Sequence, residues 1–278
     1  MKKTLIWTLL ITHLGMISFP PTTWAEDDTQ PIDLNIENPD SPGANKDVWF
    51  SDHSQKAEKF TFKEIPRDLG LSLKESFWGW GALGFGVGVG LTAALHPLDD
   101  DVKMNLGPNE LFSQTGNDVM NYALSPYVYG GVSLIVWIVG AGTKHPKLAL
   151  TGRALTEALF LSMAITWVGK VAFRRTRPNG GNFSFPSGHT TAAFSSAAVL
   201  TVFYGWKGAI PGYALAALVT LNRLDSHSHF LTDVVMGAVI GSVIGVGTAR
   251  FLRKDHPNLF IAPSFNGKNA SLHVHYRF

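Results

Sequence analysis

KVAFRRTRP (170–178), FPSGH (185–189) and NRLDSHSHFLTD (222–233) are three short polar clusters in a strongly apolar part of the chain. They supply the cations Lys170, Arg177 and Arg223, the imidazoles His189 and His229, and the carboxylate of Asp233. Between them, Ser187-Gly188 forms a turn at the start of an apolar run, where the free N–H groups of a helix start attract anions. This inventory suits a phosphate ester. Taken singly, each cluster has a plainer reading. A Ser-Gly turn is a helix cap, a basic helix end is a juxtamembrane patch, and His-x3-Asp is a pair on a helix surface.

The surroundings of the clusters predict helices. Residues 77–95, 126–142, 154–173, 188–206, 209–221 and 231–252 are apolar on most faces and lack strand alternation, so six helices are expected, spanning or deeply buried. Gly84/Gly88 and Gly237/Gly241/Gly245 have the small-residue spacing of close helix contacts. The 209–221 run is short and interrupted at Pro211-Gly212, which leaves a soluble helical bundle open as the other reading. Residues 66–78 have Leu69, Leu73, Phe77 and Trp80 at helical spacing, as an interfacial helix or one packed on the core. The polar, acidic 96–124 is read as a loop.

Composition agrees with membrane association. Of 278 residues, 45% are hydrophobic and 16% charged, against the usual charged share of about 25%. The net charge of +2 is too small to argue for a nucleic-acid partner. With no Cys, thiolate catalysis, disulfides and Cys-based metal sites are excluded. Residues 1–25 read as a signal peptide: Lys2 and Lys3, the apolar Leu5–Phe19, then Thr23-Trp24-Ala25 before a cut. Residues 26–65 read as an acidic arm punctuated by proline. Residues 66–255 form the helical domain, and 256–278 a β-hairpin turning at Asn266-Gly267-Lys268-Asn269.

In order and internal spacing, Lys170-x6-Arg177-Pro178, Pro186-Ser187-Gly188-His189 and Arg223-x5-His229-x3-Asp233 resemble the signature of one superfamily. It comprises the type 2 phosphatidic acid phosphatases, bacterial acid phosphatases and vanadium haloperoxidases. One position departs, because Asn222 stands where the family often has Ser. The resemblance covers roughly residues 77–252. It implies an all-α, six-helix, membrane-integral bundle and a phosphatase that uses no metal or other cofactor. His229 would be the nucleophile, Asp233 its orienter and His189 the acid and base. Lys170, Arg177, Ser187, Gly188 and Arg223 would hold the phosphoryl oxygens.

A site at the mouth of apolar helices predicts a lipid phosphomonoester or pyrophosphate: a phospholipid, a polyprenyl phosphate or a lipid A phosphate. The alternatives are an acid phosphatase acting on small esters, a haloperoxidase, and an envelope protein that binds phosphate or lipid without turnover. Alternating spans bring the clusters to one end, opposite Lys144, Lys147, Arg153, Lys207, Arg250, Arg253 and Lys254. The positive-inside rule then puts the site in the periplasm of a bacterial envelope. Cleavage after Ala25 with six spans would put it inside. Either 77–95 does not span fully, or the bundle is periplasmic and only membrane-associated.

Overall fold

The computed structural model describes residues 65–106 and 111–253, together with the strands Leu259–Phe265 and Ala270–Tyr276. The signal peptide, the acidic arm and the turn at 266–269 lie outside the described residues. Nine α-helices run in order among the described residues: α1 Ile65–Ser76, α2 Trp80–Leu95, α3 Asp99–Leu106, α4 Gln114–Ala123, α5 Pro126–Gly142, α6 Pro146–Phe173, α7 Gly188–Tyr204, α8 Trp206–Asp225 and α9 Leu231–Arg253. The strands pair antiparallel, with Leu259 opposite Tyr276 and Phe265 opposite Ala270.

The six apolar runs are the long helices α2 and α5 to α9. The helix expected over 66–78 forms as α1, and the expected count of six apolar helices is corrected, because α3 and α4 are added and 96–124 is largely helical rather than a loop. The cause is visible in α4. Ser113 caps it, accepting from the Gly116 amide at 3.2 Å. Its inward residue Asn117 is polar because it faces other polar groups, so no apolar period marks the helix. Pro211 does not divide α8, which runs unbroken from Trp206 to Asp225.

The glycine spacing does set the packing. A Cβ added at Gly241 of α9 would lie 2.4 Å from the Thr191 carbonyl oxygen of α7, so these two helices touch backbone to backbone. On another face of α9, a Cβ at Gly88 of α2 would lie 2.4 Å from Val239 Cγ1. α7 is thereby enclosed: Ala192, Phe194, Ala198 and Val199 are all buried. Gly241→Ala is expected to force α7 and α9 apart at a cost of about 1–3 kcal/mol. A lowered unfolding temperature in detergent, with turnover falling alongside it, checks this.

Four helical stretches are long and apolar enough to cross a membrane: Trp80–Asn105, Gln114–Gly142, Pro146–Phe173 and Leu231–Arg253. Little of the first two is covered by protein. Ile135 and Ile138 of α5 and Val87 of α2 are each at least 60% exposed. Apolar faces this continuous are covered by lipid more readily than by water. At the end of the bundle away from the three clusters, Arg153 joins Asp68 of α1 at 2.6 Å and Glu157 at 2.7 Å. It is therefore the centre of a buried ion network rather than a free surface charge, as the sequence reading had it.

Candidate active site

The three clusters meet at one end of the bundle. α6 ends where the apolar run 154–173 ends. Its last residue is Phe173, and Arg174 turns left-handed at φ 45° while its amide donates to the Lys170 carbonyl. Lys170 and Arg177 are therefore not two turns of one helix. Arg177 lies on a loop that folds back on itself, with the Arg177 amide donating to the Gly181 carbonyl and the Ser184 amide to the Arg175 carbonyl, both at 2.7 Å. Lys170 is buried and pins this loop. Its Nζ donates to the carbonyls of Phe183 at 2.8 Å and Pro186 at 2.7 Å, leaving one of its three donors. The Arg177 Nε donates to the Asn182 carbonyl at 3.0 Å. Burial pulls the Arg177 guanidinium below its usual pKa, against the opposing pull of Asp233.

Ser187 caps α7 and is fully buried. Its amide donates to the Asp233 carbonyl at 2.9 Å, which ties the turn to α9, and its hydroxyl accepts from Thr190 Oγ1 at 3.1 Å. Gly188 is the first residue of α7. A Cβ there would meet Met163 Cε at 3.3 Å, so its small size serves packing against α6. Two residues into the cap, His189 places Nε2 at 3.1 Å from the backbone carbonyl of Asn121 on α4.

His229 precedes α9 rather than riding on it, so its meeting with Asp233 spans the helix start. The His229 Nδ1 lies 3.5 Å from Asp233 Oδ2, an electrostatic contact at the outer limit of a hydrogen bond. Asp233 is fully buried and well satisfied. Its Oδ1 accepts from Arg175 at 2.9 Å, and its Oδ2 accepts from the Phe230 amide at 2.8 Å and from the Ser184 hydroxyl. Burial pushes the His229 imidazole down to about 4; Asp233 opposes this, and Lys170 and Arg177 add to it. The imidazole is therefore neutral at physiological pH, the state in which a ring nitrogen can attack. Arg223 stands in the last turn of α8, not on a loop, and is 2% exposed.

A cavity of about 320 Å³ opens over the two arginines. It is lined by Asn117, Asp118, Asn121, Arg177, Asn179, Arg223, Ser226 and Ser228. Several residues of this region were not singled out in the sequence. Arg175 bridges Asp233 to Asp99, donating to Asp233 Oδ1 at 2.9 Å and to Asp99 Oδ2 at 2.7 Å. Asp99 also accepts from the Thr232 amide at 2.9 Å and hydroxyl at 2.6 Å. Ser184 and the α4 asparagines complete the group. Among the described residues, no set of three or more His, Cys, Asp or Glu side chains is grouped to hold a metal ion.

The sequence pattern of the PAP2 superfamily matches residues 151–257, which contain all three clusters. Lipid A 1-phosphatase of Porphyromonas gingivalis is 36% identical over 38% of this chain and 25% of that protein. Lipid A 4'-phosphatase of Helicobacter pylori is 42% identical over 20% of this chain and 28% of that protein. The chain thus spans about a quarter of the length of these two relatives. A solved transmembrane PAP2 type phosphatidylglycerolphosphate phosphatase from Bacillus subtilis is similar with a TM-score of 0.47 and 22% identity, over 63% of this chain and 94% of that one. The likeness to the PAP2 superfamily thus rests on residues 151–257 and on the stretches shared with these relatives.

Proposed function

We propose that this chain is a phosphatase that hydrolyses a lipid phosphomonoester or pyrophosphate through a phosphohistidine, without a metal. The observation that carries the reading is the meeting of a buried His229–Asp233 pair with Lys170, Arg177 and Arg223 at one end of a bundle rich in membrane-capable helices. With Nδ1 turned to Asp233, Nε2 of His229 attacks phosphorus. The P–O bond to the lipid breaks, and His189 gives the leaving oxygen its proton. Water then attacks the phosphohistidine while His189 takes the water's proton, and inorganic phosphate leaves. Arg177, Arg223 and the remaining donor of Lys170 hold the non-bridging oxygens as charge shifts onto them. Ser187 and the Gly188 amide, at the start of α7, are assigned to the same task.

That two of the relatives are lipid A phosphatases favours a lipid A phosphate over phosphatidate, phosphatidylglycerophosphate or undecaprenyl pyrophosphate. Phosphate release from those four lipids and from p-nitrophenyl phosphate, in detergent, tests the reading. Lipid turnover is expected to exceed soluble-ester turnover, and vanadate is expected to inhibit both. Equal turnover of the soluble ester would favour a non-specific acid phosphatase.

We place the site on the periplasmic face of a bacterial inner membrane. Lys144, Lys147, Lys207, Arg250 and Arg253 sit at helix ends away from the site, which supports that orientation. The chain has no Cys, so single cysteines report cleanly. Thr115→Cys, exposed on α4, is expected to react with an impermeant thiol reagent added outside the inner membrane. His145→Cys, exposed between α5 and α6, is expected not to. Labelling of both would rule out a spanning bundle.

A further inference from the structure

α4 lies outside residues 151–257, yet a continuous line of hydrogen bonds runs from it to the phosphate-binding arginine. Asp225, buried at the end of α8, accepts from the Leu111 amide at 2.6 Å and the Phe112 amide at 3.2 Å, which moors the segment leading into α4. Its Oδ2 also accepts from Asn117 Nδ2 at 2.9 Å. Asn117 Oδ1 accepts from Asn222 Nδ2 at 2.6 Å. Asn222 Oδ1 accepts from Arg223 Nε at 3.1 Å and from one of its terminal nitrogens. The other terminal nitrogen donates to Asn121 Oδ1 at 2.6 Å.

The two ends of the line fix everything between them. A carboxylate only accepts and a guanidinium only donates, so both amides have one allowed orientation. Asp225 turns the Asn117 NH₂ towards itself, which leaves Asn117 Oδ1 for Asn222. Asn222 must then offer its own Oδ1 to Arg223. Three of the five guanidinium donors are used in this way. One N–H remains on each terminal nitrogen, as two-point contact with a phosphoryl group requires. A serine at 222 has no second arm with which to reach Asn117. The departure at Asn222 thus coincides with a partner, Asn117, on an element beyond the matched domain.

We propose that Asn117, Asn121 and Asn222 are positioning residues that lock Arg223 in its phosphate-binding orientation, and that Asn121 also sets the proton on His189. The carbonyl of Asn121 can only accept, so His189 carries its proton on Nε2 there and exchanges the catalytic proton through Nδ1. This rests on the phosphatase reading. It makes α4 part of the active site.

Three measurements on full-length protein in detergent test it: kcat and KM for a lipid phosphate, the dissociation constant of orthovanadate by calorimetry, and the unfolding temperature. Asn121→Ala is expected to lower kcat about 10–100-fold with KM changed less than about threefold, and to weaken vanadate binding by a similar factor to kcat. Asn121→Asp keeps the acceptor and is expected to stay within about fivefold of wild type. Asn117→Ala is expected to cost about tenfold in the wild-type background and almost nothing once Asn222→Ser has cut the line.

Wild-type kcat and vanadate affinity in Asn121→Ala would overturn the proposal, as would losses in Asn117→Ala and Asn222→Ser that simply multiply. If Asn121→Ala does not fold, Asn121→Asp and the Asn117/Asn222 cycle decide alone. If the wild type binds vanadate but releases no phosphate from any ester, the phosphatase reading fails, while the vanadate series still decides the positioning role. A wild type that binds no vanadate overturns both.

Discussion

His229→Ala is expected to reduce phosphate release about 10⁴-fold or more, because it removes the ring nitrogen proposed to take the phosphoryl group. The loss should be chemical rather than structural. His229 is 4% exposed, but among the described residues the one polar contact of its ring is the long approach to Asp233. Asp233 keeps Arg175, Ser184 and the Phe230 amide when the ring is gone. The unfolding temperature should therefore move little, and vanadate, held by the arginines, should still bind, though more weakly. Asp233→Asn keeps the ring and should cost less in turnover. The pH dependence follows from the burial of His229. The ring is neutral above about 4 and protonated below, so the acid limb of kcat/KM, corrected for titration of the substrate, belongs well below the ordinary histidine value of about 6.5. The unfolded chain binds the proton more readily between those two values, so His229 also lowers stability as pH falls through that window. Full turnover by His229→Ala would sink the assignment of the nucleophile.

The gathering of the three clusters was legible because they recur around helix ends, and the long helices because their apolar runs leave no other reading. The Gly237/Gly241/Gly245 spacing announced the α7–α9 contact for the same local reason. What escaped depends on residues distant in sequence. Asp99 reads as one of three consecutive acids, and only the fold reveals that it is 3% exposed and bound to Arg175, with Thr232 as its other partner. Asn117 and Asn121 read as loop residues because a helix whose inward face is polar has no apolar period. Asn222 looked like a lost serine. In the fold it is the bond between Arg223 and α4.

Arg175→Ala should be the most destabilising single change at this end of the bundle. The guanidinium donates to Asp99 at 2.7 Å, to Asp233 at 2.9 Å and to the Thr232 hydroxyl at 2.7 Å, and it lies 4.0 Å from the centre of the Phe230 ring. Both carboxylates are nearly sealed from solvent. Without the arginine, two acids share one buried site with no cation joining them. Stranding buried charges in this way costs about 3–5 kcal/mol. Lysine cannot substitute fully, since one ammonium lacks the planar fork that reaches Asp99 and Asp233 together. Arg175→Ala should therefore unfold at a clearly lower temperature in detergent and lose turnover, because Asp233 would no longer be held beneath His229. Adding Asp99→Asn to Arg175→Ala removes one of the two stranded charges and should restore part of the unfolding temperature. It should restore almost none of the turnover, because Asp233 would still lack its clamp. This separates two roles that a single substitution confounds. Asp99 neutralises the arginine, while the arginine, placed between Asp99 and Asp233, fixes the acid proposed to orient the nucleophile. If Arg175→Ala unfolds at the wild-type temperature, the bridge carries no such weight; if the double variant regains turnover as well as stability, Arg175 acts on the fold alone.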